Sequence, residues 1–96
     1  LNTPYKTLHM VIGMVNDKDI DHVLELLPKQ AVYYFTQAAL PRALDAQLLA
    51  QKAQSMGMKG NIYRAVPLAV EAAKKNAGIN DLIFIGGSTF VVAEAL

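Results

Sequence analysis

Short apolar runs alternate with helical stripes along this chain, and that alternation constrains its fold more than any other feature. Thr7 to Gly13 is a near-continuous apolar run bounded by Pro4 and Gly13, the pattern of a strand buried on both faces. Ile20, Val23, Leu24 and Leu27 then recur at the spacing of one helix face, and Pro28 ends the stripe. Ala31 to Thr36 is rich in β-branched and aromatic residues, so a second strand is expected. Leu44, Leu48, Leu49, Ala53 and Met56 form a second helical stripe between Pro41 and Gly57. Asn61 to Ala65 reads as a weak third strand. Pro67, Val70, Ala73 and Ala77, followed by Gly78, mark a third helix. Leu82 to Ile85 is a fourth strand, Gly86-Gly87-Ser88 a turn, and Thr89 onward the start of a fourth helix.

Strands separated by helices pair in parallel through helical crossovers, which are right-handed in about 98% of cases. Two sheet orders remain, 1-2-3-4 with helices on one side and 3-2-1-4 with helices on both. The first and fourth strands are the most apolar and are expected inside the sheet. The third is short and polar, with Asn61 and Arg64, and is expected at an edge. The expected fold is therefore α/β, a three-layer Rossmann-like domain with a mainly parallel four-stranded sheet of order 3-2-1-4. Ligands of such sheets bind beyond the carboxyl ends of the strands, where the order reverses. That rule selects the loops Gly13–Asp19 and Gly86–Thr89, with Thr36–Arg42 beside them.

Composition narrows the function. The 96 residues fit one domain over 1–96. A net charge of +1 supplies no broad field for gripping nucleic acid. Without cysteine there is no disulfide, thiolate metal site or cysteine nucleophile, and a cytoplasmic location is expected. No apolar run approaches the ~18 residues of a membrane span. Leu1 in place of Met and the apolar end at Leu96 suggest boundaries within a longer protein.

Each loop admits a ligand reading and a local structural one. Asp17, Lys18 and Asp19 put two carboxylates and an amine at a helix N-terminus. They either face a charged ligand or serve the helix, with Asn16 or Asp17 as cap and Asp19 and Asp21 complementing its dipole. Lys18 has no Gly-x-x-x-x-Gly-Lys frame around it, so this is not a phosphate-binding P-loop. Gly86-Gly87-Ser88 either presents backbone N–H groups to an anion or is a tight turn with Ser88 as cap. Arg42 places a positive charge at the head of a helix, where the dipole disfavours it. Its guanidinium fork suits a carboxylate clamp, and the competing reading is a solvated side chain. His9 is expected as a hydrogen-bonded core residue and His22 as solvated; their spacing does not suit a metal site. Tyr33, Tyr34 and Phe35 are expected as core, and Arg64 as solvated.

Taken together, the three loops resemble a known family. Gly13-Met14-Val15-Asn16-Asp17-Lys18-Asp19 resembles the Gly-Met-x-x-Asp-Lys-Asp signature of folylpolyglutamate synthase and bifunctional dihydrofolate synthase. Pro41-Arg42-Ala43 is placed as in that family. Ile85-Gly86-Gly87-Ser88 with Val91 and Ala93 is similar to its Cys-Gly-Ser-x-x-x-Val closing motif, with Gly86 where Cys is usual, an expected harmless change. The resemblance implies the C-terminal domain of a Mur-ligase-like amide synthetase. Such enzymes use ATP and Mg2+ to activate a folate or dihydropteroate carboxylate as an acyl phosphate, which the glutamate amine then attacks. It implies substrate binding by Arg42, Gly87 and Ser88. It further implies an interdomain, nucleotide-facing role for Asp17, Lys18 and Asp19, with no catalytic or metal residue in this segment. The implied partners are a central ATPase domain of the same chain, glutamate and folate, with no nucleic acid or membrane. Alone the segment is expected to be monomeric, inactive and free of bound cofactor. The competing class is a non-enzymatic flavodoxin-like sensing or docking module. A phospho-receiver is disfavoured, because the third strand runs into Arg64-Ala65 with no acceptor Asp.

Overall fold

The computed structural model describes residues 6–15, 19–39, 41 and 43–86. Within them the elements are β1 (Leu8–Ile12), α1 (Ile20–Leu26), β2 (Val32–Phe35), α2 (Ala46–Ser55), β3 (Lys59–Ile62), α3 (Val66–Asn76) and β4 (Leu82–Gly86). The sheet order is β3-β2-β1-β4 and every pair is parallel. The expected fourth helix from Thr89 lies outside the described residues.

Period-two alternation divides the core between two faces. Leu8, Met10, Ile12, Tyr33 and Phe35 face α1 and α2, where Leu24, Leu49 and Ala53 meet them. Val11 and Tyr34 face the opposite way and are covered by Val66, Ala69, Val70 and Ala73 of α3. Helices on both sides make the domain three-layered. Tyr33, Tyr34 and Phe35 are fully buried, and burying an aromatic of this size contributes about 1.5–3 kcal/mol. Burial pushes the Tyr33 phenol up to about 12.

Two expectations need correction. β3 runs Lys59–Ile62 rather than Asn61–Ala65. The helix before it ends in a Schellman cap: Met58 N–H donates to Ala53 O and Gly57 N–H to Gln54 O, with Gly57 at φ 85°. The chain leaves that cap directly into the strand. β4 also belongs at an edge among the described residues, not inside the sheet, since it pairs with β1 alone. Its apolarity instead serves its two faces: Leu82 packs with the α1–α2 cluster, and Ile83 and Ile85 with the α3 cluster.

Candidate functional site

The stems of all three candidate loops meet at the carboxyl end of the sheet. Past β1, Gly13 N–H donates to Gly86 O at 3.4 Å, joining the first loop to the third. Leu44 N–H donates to Met14 O at 2.8 Å, and Val15 forms an antiparallel bridge with Ala43. The first loop is thereby joined to the second, on the residues flanking positions 16–18 and 42. Met14, Val15 and Leu44 are buried, so hydrophobic contact reinforces these bonds. Thr36 N–H donates to Ile12 O at 2.9 Å, and the Gln37 side chain accepts from Ala46 N–H at 2.9 Å, fixing the exit of β2 against the start of α2. A pattern-based reading had no signal for these stems, because isolated bridges leave no period in the sequence.

Of the residues singled out for ligand contact, Asp17, Lys18, Arg42, Gly87 and Ser88 lie outside the described residues. Asp19 is described and exposed. It is the N-cap of α1, its carboxylate accepting from His22 N–H at 3.4 Å, so the cap is Asp19 rather than Asn16 or Asp17. Asp21 sits in the first turn of that helix, as expected, and pairs with Lys52 of α2 at 3.3 Å on the surface. His22 and Arg64 are exposed and His9 is buried and hydrogen-bonded, all as expected. Gly86 is buried, and a Cβ there would meet a ring carbon of Phe84 at 2.7 Å. That ring is half exposed and has room to turn aside.

Thr36 stands out at this end. It is fully buried, yet its hydroxyl has no hydrogen-bond partner among the described residues. Neither composition nor spacing marks it. The described residues hold no cluster of three His, Asp or Glu that could hold a metal, and no helix among them is long and apolar enough to cross a membrane.

Residues 1–89 match the family described as the Mur ligase, glutamate ligase domain. The chain belongs to this family. A probable bifunctional folylpolyglutamate synthase/dihydropteroate synthase of Haloferax volcanii is 32% identical over 92 residues, covering 95% of this chain and 11% of that protein. E. coli FolC, solved in complex with DHPP and ADP, superposes with a TM-score of 0.83 at 29% identity, covering 92% of this chain and 20% of the other. A bifunctional folylpolyglutamate synthase/dihydrofolate synthase solved with Mn, AMPPNP and L-glutamate gives 0.76 at 25% identity over 93% of this chain and 22% of the other. The chain thus spans about a tenth of the length of its haloarchaeal relative and about a fifth of the solved ones.

Proposed function

We propose that this chain is the glutamate-recognising lobe of an ATP-dependent ligase of the folylpolyglutamate synthase type, its C-terminal domain spanning 1–96. The observation that supports it most is the junction of three loop stems, Gly13–Val15, Ala43–Leu44 and Gly86, at the carboxyl end of a sheet belonging to this family. Hydrogen-bonded stems hold the side chains of the loops they carry at fixed separations, which is what selecting one small amino acid requires.

In this reading the Arg42 guanidinium takes a glutamate carboxylate through two parallel N–H bonds. Ser88 and the backbone at Gly87 complete the contact. Asp17 and Lys18 border the cleft towards the nucleotide, while Asp19 is committed to the cap of α1. Of the solved relatives, one carries AMPPNP, Mn and L-glutamate together, and that triad fits a ligase of this kind. ATP transfers its terminal phosphoryl group to a folate carboxylate. The glutamate amine attacks the acyl carbon, the amide bond forms, and phosphate leaves with the displaced oxygen. In this reading the metal and phosphate handling belongs to a central ATPase domain of a longer chain. The segment alone then binds weakly and does not turn over.

Arg42→Ala in the full-length enzyme tests the assignment. Losing hydrogen bonds to a charged group costs about 1.5–3 kcal/mol, so the KM for glutamate should rise about 10- to 100-fold. The KM for ATP should change far less. An unchanged glutamate KM removes Arg42 from substrate recognition.

A further inference from the structure

The end of the sheet away from the loops holds a polar chain, buried at His9 and Tyr34, that ligand recognition does not use. His9 on β1 is buried on the α3 face. Its Nδ1 lies 2.8 Å from the Tyr34 hydroxyl of β2, and its Nε2 lies 2.9 Å from Asp81 Oδ2, just before β4. Asn76 Nδ2, at the end of α3, donates to the Tyr34 oxygen at 3.3 Å. Gly78 N–H donates to the same Asp81 oxygen at 2.9 Å.

The ends of the chain set the direction of every bond. An ionised carboxylate only accepts, so Nε2 carries the proton given to Asp81. The amide nitrogen of Asn76 only donates, so the Tyr34 oxygen accepts from it and the phenol proton is free for Nδ1. Donation runs from Asn76 to Tyr34, from Tyr34 to His9 and from His9 to Asp81. A second ring proton, on Nδ1, would reverse the central bond and leave the Tyr34 O–H without an acceptor among the described residues.

The surroundings offer little else to a charge. Among the described residues, the titratable groups facing His9 are Asp81 and Tyr34. Tyr63, after β3, packs on Tyr34 at 5.9 Å between ring centroids. β4 pairs Ile83 with His9, and α3 covers this face with Ala69, Val70 and Ala73. The charges of α3, at Glu71, Lys74 and Lys75, are exposed.

We propose that Asn76, Tyr34, His9 and Asp81 form a one-way latch, closed while His9 carries a single proton on Nε2, that ties the end of α3 and the following turn to the sheet and opens in acid. The Asp81 carboxyl is held below the usual carboxylate range by the Gly78 N–H and then by the His9 ring. A carboxyl with a depressed folded-state pKa contributes stability above its unfolded value, and that stability is lost as pH falls through the folded value.

Ring 15N spectra of the 96-residue chain at neutral pH, with thermal midpoints followed into acid, test the latch. Nε2 should resonate as a protonated nitrogen and Nδ1 as a pyridine-type acceptor. Tyr34→Phe should shift Nδ1, having removed its donor. Asp81→Asn should lower the midpoint at neutral pH and flatten its fall in acid. An Nδ1–H tautomer or a doubly protonated ring at neutral pH overturns the proposal. So does an Asp81→Asn acid profile parallel to the parent's. The tautomer measurement uses the unaltered chain, so it decides even where that variant does not fold.

Discussion

Thr36 and His9 are both polar and both buried in the sheet, and they differ in what they meet. His9 has a partner on each ring nitrogen, while the Thr36 hydroxyl has none among the described residues. A buried hydroxyl without a partner forfeits its hydration, at a cost of about 1–3 kcal/mol. Thr36→Val keeps the shape and removes the hydroxyl, so it should raise stability by up to about that amount, read as a higher denaturation midpoint. Thr36→Ser keeps the hydroxyl and loses a methyl, so it should lower the midpoint. A fall in Thr36→Val would mean that the hydroxyl has a partner after all. The contrast also marks what a sequence conveys at this scale. A His inside an apolar run announces that it needs partners, but Tyr34, Asn76 and Asp81 lie 25, 67 and 72 residues away along the chain. Only the folded register of β1 with its neighbours brings them together.

Elements were legible where burial imposes a period. α2 and α3 present apolar stripes, and β1 and β2 read as buried runs, because β1 is buried throughout, β2 from Tyr33 on, and each helix along one face. β3 was misplaced because it is an edge strand with its side chains largely in solvent, so its pattern carries no burial signal. What holds it is backbone: it pairs with β2 from Val32–Lys59 to Phe35–Ile62. Gly60 is the residue that permits this. A Cβ there would overlap the carbonyl of Tyr33, a backbone atom that cannot move aside without breaking the pairing. Gly60→Ala should therefore destabilise the chain by several kcal/mol, well beyond the ordinary effect of a surface substitution. Gly57→Ala offers a comparison, since it meets no atom and strains only a positive φ; its loss should be about 1 kcal/mol. Equal losses in urea denaturation would show that the close approach at Gly60 is relieved locally.

At the scale of the whole molecule, the sheet order was foreseen while one premise behind it was not. β4 is as apolar as an interior strand and yet has a partner on one side only among the described residues. Phe84 is 49% exposed and borders an apolar groove of about 200 Å3 with Leu8, Met10, Leu27 and Pro28. The register tells which β4 amides lie on the open side. Leu82 N–H donates to Thr7 O and Gly86 O accepts from Gly13 N–H, so residues 82, 84 and 86 turn their polar groups to β1. Ile83 and Ile85 turn theirs away. In the 96-residue chain, hydrogen exchange should be slow at Phe84 and fast at Ile83 and Ile85, although their side chains pack against α3. The five residues of β1, paired on both sides and fully buried, should be the slowest of all. If the chain works within a protein several times its length, as its relatives do, the same two amides become a sensor of that context. Slow exchange at Ile83 and Ile85 in a longer protein would mean that another segment has been added to the β4 edge. Fast exchange there would leave the edge open. Slow exchange already in the 96-residue chain would mean that the chain itself covers that edge.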